Sequence, residues 1–151
     1  MNDIIYKVPE TEEEFQGAYA VSACKENNCW LGGGVVPPIL RQSAEKRELI
    51  IAKDNNLVVG FIHFHKRKDG YNVIYHICVL PEYKGKHIAY NMSLQVPQPY
   101  ELKCKPDNIK IQNFCKKLGM HFVCEKKYYN KKGTEIKIFI YRHNYGFFNY
   151  S

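Results

Sequence analysis

One segment near the middle of the chain combines residues that suit phosphate binding. It extends from Ile77 to Asn91 and reads ICVLPEYKGKHIAYN. An apolar strand ends at Pro81, a short basic loop with a single glycine follows, and a helix is predicted to begin near His87. A strand-to-helix loop of this kind directs backbone N–H groups and the positive end of the helix dipole at one point. The segment therefore predicts a site for a phosphate or pyrophosphate group.

Two histidines on the preceding predicted strand could do a different kind of chemistry. His63 and His65 are two residues apart, so their side chains share one face of the strand. Two histidines at this spacing can ligate a metal ion, but no third ligand in the sequence has a matching spacing. The pattern therefore indicates no metal site. The two side chains are expected either to be partly buried in the sheet or to line a substrate cleft.

Length and composition indicate one folded domain covering residues 1–151. The chain has 151 residues, of which 45% are hydrophobic and 25% charged, and these values are ordinary for a globular protein. Its apolar runs are too short to cross a bilayer, and its first residues lack the basic and apolar regions of a signal peptide. We therefore expect a cytoplasmic protein without membrane contact, whose six cysteines are reduced.

The net charge of +7 is concentrated in the C-terminal third of the chain. This distribution predicts a polyanionic partner, either a cofactor that carries phosphates or a nucleic acid. A solvated lysine-rich surface is the alternative. Tyr128 and Tyr129 lie among the lysines, and aromatic rings between basic residues can stack on bases. The lysines of this region are Lys103, Lys105, Lys110, Lys116, Lys117, Lys126, Lys127, Lys131 and Lys132.

The elements that must position these residues follow from hydrophobic periodicity and capping signals. The first helix begins with the capping-box spacing of Thr11 and Glu14, and a glycine- and proline-rich loop is predicted from Trp30 to Pro38. Predicted helices cover 12–25, 39–47, 87–94 and 108–119, and predicted strands cover 48–53, 57–67, 71–80, 100–105, 121–129 and 134–142. This order predicts an α/β domain with a mixed central sheet, a parallel β-α-β crossover and flanking helices.

The phosphate-type loop resembles the acyl-CoA-binding signature of the GNAT (N-acetyltransferase) superfamily. In that signature a strand ending in V-x-P-E-Y is followed by R/Q-x-x-G-x-G/A. The chain has Val79-Leu80-Pro81-Glu82-Tyr83, then Lys84 at the R/Q position, His87 at the first small position and Ala89 at the second. His87 is a departure, because a side chain stands where the family usually has glycine.

A second segment resembles the later motif of the same superfamily, N-x-x-A-x-x-F-Y-x-x-x-G-F. Asn108, Phe114 and Gly119 match it. Three other positions of the motif are occupied differently, by Ile111, Cys115 and Met120. The two motifs occur in the family's order and are separated by one predicted strand, so they jointly imply the GNAT fold from about 48 to 142.

The resemblance implies an enzyme that uses acetyl-CoA as acyl donor. The loop from Lys84 to Ala89 is expected to hold the pyrophosphate, and the open end of the strand before it is expected to pair with the pantetheine arm. The cofactor-binding residues that the resemblance implies are Cys78, Val79, Leu80, Lys84, Gly85, Lys86, His87, Ile88, Ala89, Asn108 and Phe114.

Direct acyl transfer to an amine requires a base for the ammonium, stabilisation of the oxyanion and an acid for the leaving thiolate. The family takes its base from the strand over 71–80, where His76 and Tyr75 are the titratable candidates near the expected gap between the central strands. Cys115 stands at the motif position where the family often has a tyrosine that acts as the general acid. It is a candidate acid, with core packing as the alternative, and Tyr90 or solvent can protonate the thiolate instead.

Three functions remain open on these grounds. The first is an N-acetyltransferase whose acceptor is an amine-bearing small molecule or a protein, acting in a ternary complex with acyl-CoA. The second is a GNAT-fold enzyme of the phage DNA-modifying kind, with a nucleic acid or nucleic-acid-bound protein as acceptor. The third is a CoA-binding protein without catalysis, which the departures at His87 and Cys115 suggest. A homodimer is compatible with each of them.

Overall fold

The computed structural model describes residues 3–24 and 37–143. Its strands are β1 (Ile4–Lys7), β2 (Leu49–Asp54), β3 (Leu57–Lys66), β4 (Asn72–Val79), β5 (Tyr100–Cys104), β6 (His121–Tyr129) and β7 (Glu135–His143). Its α-helices are α1 (Glu12–Ala23), α2 (Pro37–Glu45), α3 (Ile88–Leu94) and α4 (Ile109–Lys117), and a 3₁₀ turn covers Pro81–Tyr83. The seven strands form one mixed sheet in the order β1-β2-β3-β4-β5-β7-β6, in which β4 and β5 are parallel. The predicted fold class is confirmed.

Local sequence signals explain where the helices begin. Thr11 accepts a hydrogen bond from the Glu14 N–H, and the Glu14 carboxylate accepts one from the Thr11 N–H, which completes the predicted capping box of α1. At α4, the side-chain oxygen of Asn108 accepts from the Ile111 N–H at 3.1 Å. Gly119 ends the same helix with a φ of +82°, a left-handed conformation that favours glycine.

The structure differs from the sequence expectation mainly at the edges of elements. The strand β1 is absent from the predicted order, because four residues at a sheet edge carry too short a pattern to be distinguished from a loop. The helix α2 begins at Pro37, within the predicted Trp30–Pro38 loop, and the rest of that loop lies outside the described residues. The other boundaries shift by one or two residues, as helix and strand ends commonly do.

The helices divide between the two faces of the sheet. On one face, which we call the α1/α2 face, Ala18, Val21 and Leu40 pack with strand residues that include Phe61. On the other, the α3/α4 face, the helices contribute buried residues to a larger cluster with the sheet, among them Ile88, Met92, Ile111 and Phe114. Both faces are therefore covered, as expected for a sheet with a parallel crossover. Within the described residues, no helix is long and apolar enough to cross a membrane.

The central strands β4 and β5 pair only at their beginning. Asn72 to Ile74 are in register with Tyr100 to Leu102, and no later residue of β4 pairs with β5. The β3–β4 register changes at the same place, since His63 pairs with His76 whereas Phe64 pairs with Ile74. Tyr75 is therefore an extra residue in β4, that is, a β-bulge, and bulges bend a strand and end its pairing. The sheet consequently opens between β4 and β5 beyond Ile74.

The expectation of reduced thiols is confirmed for four cysteines and wrong for Cys78. Cys24, Cys104, Cys115 and Cys124 are free, whereas Cys78 is disulfide-bonded. Cys29 lies outside the described residues. The apolar surroundings of the cysteines favoured free thiols, but such surroundings do not reveal which thiols lie close enough to pair.

Candidate active site

Among the described strands, none pairs with the outer part of β4 on the side away from β3. The Leu80 N–H donates to the Val59 carbonyl at 2.8 Å, so at this position β4 bonds to β3. Backbone groups alternate in direction along a strand. Those of Ile77 and Val79 therefore point away from β3, into the gap that β5 leaves. These groups can bond to an extended ligand as an added strand would.

A groove of about 120 Å³ lies between the end of β4, the following loop, α3 and α4, and we call it the α3/α4 groove. It is one of several cavities, and it brings together most of the residues that the family resemblance implied for the cofactor. Those that line it are Val79, Lys84, Gly85, His87, Ile88, Ala89 and Phe114. The loop and the α4 motif therefore form one site, although they are separated along the chain.

Two residues of the loop have left-handed backbone conformations. Gly85 has a φ of +80° and His87 a φ of +62°. The second value explains why the family prefers a small residue at the position of His87, since a side chain there is strained by its own Cβ. Strain of this kind in a loop that lines a groove is typical of ligand-binding segments.

Two further residues line the groove that the motifs did not assign to cofactor binding, Tyr90 and Lys117. The Nζ of Lys117 lies 3.2 Å from the Nδ1 of His87 and 5.9 Å from the centroid of the Tyr90 ring. Tyr90 lies one residue beyond the first motif, and Lys117 occupies a variable position of the second, so only the folded positions of α3 and α4 show that the two residues line the groove. With Lys84, Lys117 makes the groove mouth cationic.

Four of the predicted cofactor residues lie away from this groove. The side chain of Cys78 is buried on the α1/α2 face, and the oxygen of Asn108 caps α4. Leu80 is half-buried and contacts the buried clusters of both faces. Lys86 faces a separate cavity of about 610 Å³ beside β1. The side chains of these residues therefore do not line the groove. The backbone N–H and C=O groups of Cys78 point toward β3.

The environment of Cys115 is apolar. Its side chain is fully buried in the cluster of the α3/α4 face. Burial, with a smaller contribution from Cys104, raises the pKa of the Cys115 thiol to about 12. A thiol in this environment is a hydrophobic side chain, and its proton is held too firmly for transfer near neutral pH.

The candidate base His76 lies on the α1/α2 face, beside the gap between β4 and β5. Its Nδ1 is 3.0 Å from the Nδ1 of His63, and the two rings stack with centroids 5.2 Å apart. The Tyr75 ring centroid is 6.0 Å from that of His63. Burial lowers the pKa of His76 below 6.5. Burial and the neighbouring His76 lower the pKa of His63 to about 4. Both imidazoles are therefore neutral at pH 7.

A cavity of about 230 Å³ adjoins this histidine pair, and we call it the α2 cavity. Its lining comes from α2 and from β3, β4 and the start of β2: Ile39, Gln42, Ser43, Lys46, Glu48, His63, His65 and Tyr75. The Glu48 carboxylate is nearly buried, accepts from the Lys66 N–H at 2.6 Å and lies 3.3 Å from the His65 Nδ1. The alternative that His63 and His65 line a cleft therefore agrees with the geometry.

The comparisons with known proteins identify the family and the fold. The model of the acetyltransferase (GNAT) family matches residues 9–120. No curated protein sequence is similar enough to this chain to count as a match. A GNAT-family acetyltransferase from Bacillus cereus superposes with a TM-score of 0.70 at 12% identity, over 95% of this chain and 98% of that one.

Two similar structures hold ligands. Diaminobutyrate acetyltransferase from Paenibacillus lautus, in complex with its substrate L-2,4-diaminobutyric acid and coenzyme A, has a TM-score of 0.70 at 13% identity, over 93% of this chain and 95% of that one. A Bacillus anthracis protein described as a streptothricin acetyltransferase, in complex with acetyl coenzyme A, has a TM-score of 0.56 at 20% identity. That match covers 64% of this chain and 61% of the other. From the family model and the shared fold, the chain belongs to the acetyltransferase (GNAT) family.

Proposed function

We propose that the chain is an acetyl-CoA-dependent N-acetyltransferase in which an amine acceptor attacks the acyl donor directly, both being held at once. The observation that carries the proposal is that the unpaired edge of β4 leads into the cationic α3/α4 groove. This continuity offers one extended path for a ligand with an amide-bearing arm and phosphates. The similar structures that hold acetyl coenzyme A, or coenzyme A together with an amine substrate, support the same function.

The donor would be held by backbone and side-chain groups together. The N–H and C=O groups of Ile77 and Val79 would pair with the pantetheine arm, and the loop N–H groups around Gly85 would bind the pyrophosphate. Lys84 and Lys117 would add charge-assisted hydrogen bonds to the phosphates. Once bound, acetyl-CoA supplies an acetyl thioester that is ready for attack by an amine.

His76 would act as the general base. An amine acceptor is mostly an ammonium ion at pH 7 and must lose a proton before its nitrogen can attack. Because burial keeps His76 neutral, its imidazole has a lone pair available for that proton. Because His76 lies on the α1/α2 face, we expect the acceptor to approach from the opposite side of the sheet from the α3/α4 groove. Tyr75 and the α2 cavity would border the acceptor.

Tyr90 would act as the general acid in place of the motif tyrosine. The balanced reaction forms one C–N bond and breaks one C–S bond. The ammonium would give one proton to His76, and the sulfur would gain one from Tyr90. The nitrogen would lose its second proton to solvent as the tetrahedral intermediate collapses, solvent would reprotonate Tyr90, and His76 would release its proton, so that one proton is set free for each acetyl group transferred. Tyr90 lines the groove, whereas Cys115, at the motif position, is fully buried. Tyr90 packs against the buried cluster that contains Cys115, so the two residues lie in the same neighbourhood. A hydroxyl from α3 would therefore replace the one that the family usually supplies from α4.

The experiment that tests donor binding compares substitutions of two glycines. A side chain causes a similar backbone strain at each of the two positions. Gly85 and Gly70 both have positive φ, and a Cβ at either meets no atom within 4 Å. Gly85→Glu places a carboxylate in the proposed pyrophosphate site, whereas Gly70→Glu places one in the β3–β4 turn. We expect acetyl-CoA at 100 times its dissociation constant to stabilise the wild type and Gly70→Glu by about 2.7 kcal/mol.

The same stabilisation should be absent in Gly85→Glu, as measured by thermal unfolding with and without acetyl-CoA. Equal stabilisation of both variants would contradict the assigned site. Release of free thiol is then measured with a panel of amines, proteins and nucleic acids. Binding without turnover on any acceptor would favour the non-catalytic alternative over an enzyme.

A second candidate acceptor is a nucleic acid or a protein bound to one, and the β6–β7 hairpin is the observation that favours it. Every residue of this hairpin from Glu125 to Glu135 is exposed. Tyr128 and Tyr129 are 50% and 70% exposed, and lysines surround them. The hairpin extends past the end of β5, at the end of the sheet where β4 and β5 separate. Aromatic rings among lysines are suited to bases and phosphates.

A further inference from the structure

The histidine pair on the α1/α2 face contains a residue whose role the proposed reaction does not yet use. His63 and His76 face each other across the β3–β4 ladder, with their Nδ1 atoms 3.0 Å apart. This is an ordinary hydrogen-bond distance, so one Nδ1 must carry a proton and the other must accept it. If both rings had the proton on Nε2, two lone pairs would oppose each other at that distance.

We propose that His63 is a positioning residue that holds His76 in the tautomer with the proton on Nδ1, which leaves the Nε2 of His76 as the basic atom. His63 does this by accepting the His76 Nδ1–H with its own Nδ1 and keeping its proton on Nε2. The proposal rests on the function proposed above, in which His76 takes the ammonium proton. It adds a residue on β3 that the family motifs do not include.

The direction of the hydrogen bond follows from the surroundings of the two rings. His63 is poorly suited to hold a positive charge, because burial and the approach of a positive His76 both lower its pKa. When Nε2 of His76 takes up a proton, the charge therefore stays on His76. The charged ring then donates from Nδ1 to neutral His63, and a hydrogen bond from an imidazolium is stronger than one from a neutral ring.

The ionisable side chains on the elements packed around His63 and His76 determine the electrostatic field at the two rings. The ionisable side chains that border the pair or the adjoining α2 cavity are Lys46 after α2, Glu48 before β2, His65 on β3 and Tyr75 on β4. Glu48 already interacts with His65 and the Lys66 N–H. Within the described residues, no carboxylate is hydrogen-bonded to either ring of the pair, so the orienting partner of His76 is an imidazole.

The first test is nuclear magnetic resonance of the resting full-length protein with ¹⁵N-labelled histidine, which needs no substrate. We expect His76 in the Nδ1–H tautomer and His63 in the Nε2–H tautomer at neutral pH. In His63→Leu, His76 should change to the Nε2–H tautomer, whereas His63→Asn should preserve Nδ1–H, since its Oδ1 is attached to Cγ as Nδ1 is. Finding His76 in the Nε2–H tautomer in the wild type would overturn the proposal, even if the leucine variant failed to fold.

The second test is the pH dependence of acetyl transfer in the same variants. The wild-type kcat/KM should rise with pH through a pKa below 6.5, because His76 must be neutral to act as base. We expect His63→Leu to lower kcat roughly tenfold. This loss is smaller than the full contribution of general-base catalysis, which is roughly 100- to 10,000-fold. The KM for acetyl-CoA should stay unchanged, and His63→Asn should recover most of kcat.

Equal activity of the leucine and asparagine variants would contradict the positioning role. The two proposals fail separately. If no amine is acetylated by any form of the protein, the proposed function is wrong, and the tautomer measurement still decides whether His63 orients His76. If transfer occurs but His76→Ala is fully active, the base assignment fails and the positioning role falls with it.

Discussion

Burial gives Cys115 and Tyr90 different chemistry, although the helices that carry them flank the same groove. Cys115 faces the sheet from α4, and burial raises its thiol pKa to about 12. Tyr90 is half-buried on α3, and its ring lies near the ammonium of Lys117. A proton donor must reach the leaving sulfur, and of the two residues only Tyr90 lines the groove. We therefore propose Tyr90, and not the buried Cys115 at the motif position, as the proton donor.

Substitution of these two residues should separate the candidate acids. We expect Tyr90→Phe to lower kcat at least roughly tenfold without weakening acetyl-CoA binding, because general-acid catalysis contributes about 100- to 10,000-fold and solvent replaces part of it. Cys115→Ala should keep most of the activity. Steady-state turnover and acetyl-CoA titration of both variants measure the difference. A thousandfold loss in Cys115→Ala with an intact fold, beside an active Tyr90→Phe, would reverse the assignment.

At the level of elements, a buried carboxylate joins α1 to the sheet edge. Glu14 is 3% exposed, and its carboxylate lies 2.9 Å from the Nζ of Lys7 on β1 and 3.0 Å from the Nζ of Lys53 on β2. It also accepts from the backbone N–H groups of Glu10 and Thr11. The four-residue strand β1 lies at the edge of the sheet, next to β2, so this cluster stabilises its position against α1.

The same cluster predicts a pH-dependent contribution to stability. Burial alone would raise the pKa of Glu14, but the hydrogen bonds and the two lysines outweigh it and lower the pKa from 4.5 to about 2. A carboxyl group whose pKa is lower in the folded state stabilises the fold above its unfolded pKa. The contribution is therefore complete above about pH 5 and disappears as the pH falls through 4.5 toward 2.

Denaturant unfolding of the wild type and Glu14→Gln between pH 2 and 7 checks this prediction. We expect the variant to be less stable at pH 7 and the difference in the free energy of unfolding to shrink steadily below pH 4.5. Glu13→Gln, which changes an exposed carboxylate one residue away, serves as the matched control and should show no comparable pH-dependent difference. A constant difference at all pH values would show that Glu14 acts through packing alone.

At the scale of the whole molecule, a group of exposed lysines lies at the end of the sheet that carries the β6–β7 hairpin. The chain carries a net charge of +7, and the β6–β7 hairpin is rich in exposed lysines. Lys127 pairs with Glu135 at 3.8 Å, an exposed ion pair that neutralises little of the surrounding charge. The hairpin therefore extends as a cationic arm near the opening between β4 and β5.

This distribution predicts salt-dependent binding of nucleic acid. We expect single-stranded DNA or RNA to bind at low salt and to dissociate steeply toward physiological salt, because released counterions drive such binding. Charge reversal of Lys131 and Lys132 should lower the slope of log K against log salt by about 1 for each phosphate that the protein no longer neutralises. Reversal of Lys66 and Lys68, near the distant β3–β4 turn, gives the same net charge and should leave the slope nearly unchanged.

Filter binding or fluorescence anisotropy over a salt series measures this slope. Both double variants carry the same total charge. A lower salt slope in the Lys131 and Lys132 variant alone therefore indicates binding by the hairpin, whereas equal slopes indicate general attraction to a basic protein. No binding to single- or double-stranded DNA or RNA at low salt would exclude a nucleic-acid acceptor. A protein or a small amine would then remain as the acceptor.

Those parts of the site that depend on neighbours along the chain could be predicted from the amino-acid sequence. Pro81, Gly85 and the two lysines that flank Gly85 predict the loop. Asn108 and Gly119 predict the limits of α4, because capping and turn preferences act over a few residues. The residues and order of the two motifs indicated the family, and hydrophobic periodicity predicted the strands of the sheet except β1. These inferences required no knowledge of how the strands are aligned.

Which side chains meet depends instead on the folded arrangement of the chain. Tyr75 becomes a bulge through the β3–β4 register, and that register brings His63 to His76 and opens the gap beside Val79. The packing of α3 against α4 brings Lys117 to His87. Each of these contacts joins residues that are at least 13 positions apart. Such contacts depend on strand register and helix packing, which a local sequence pattern does not specify.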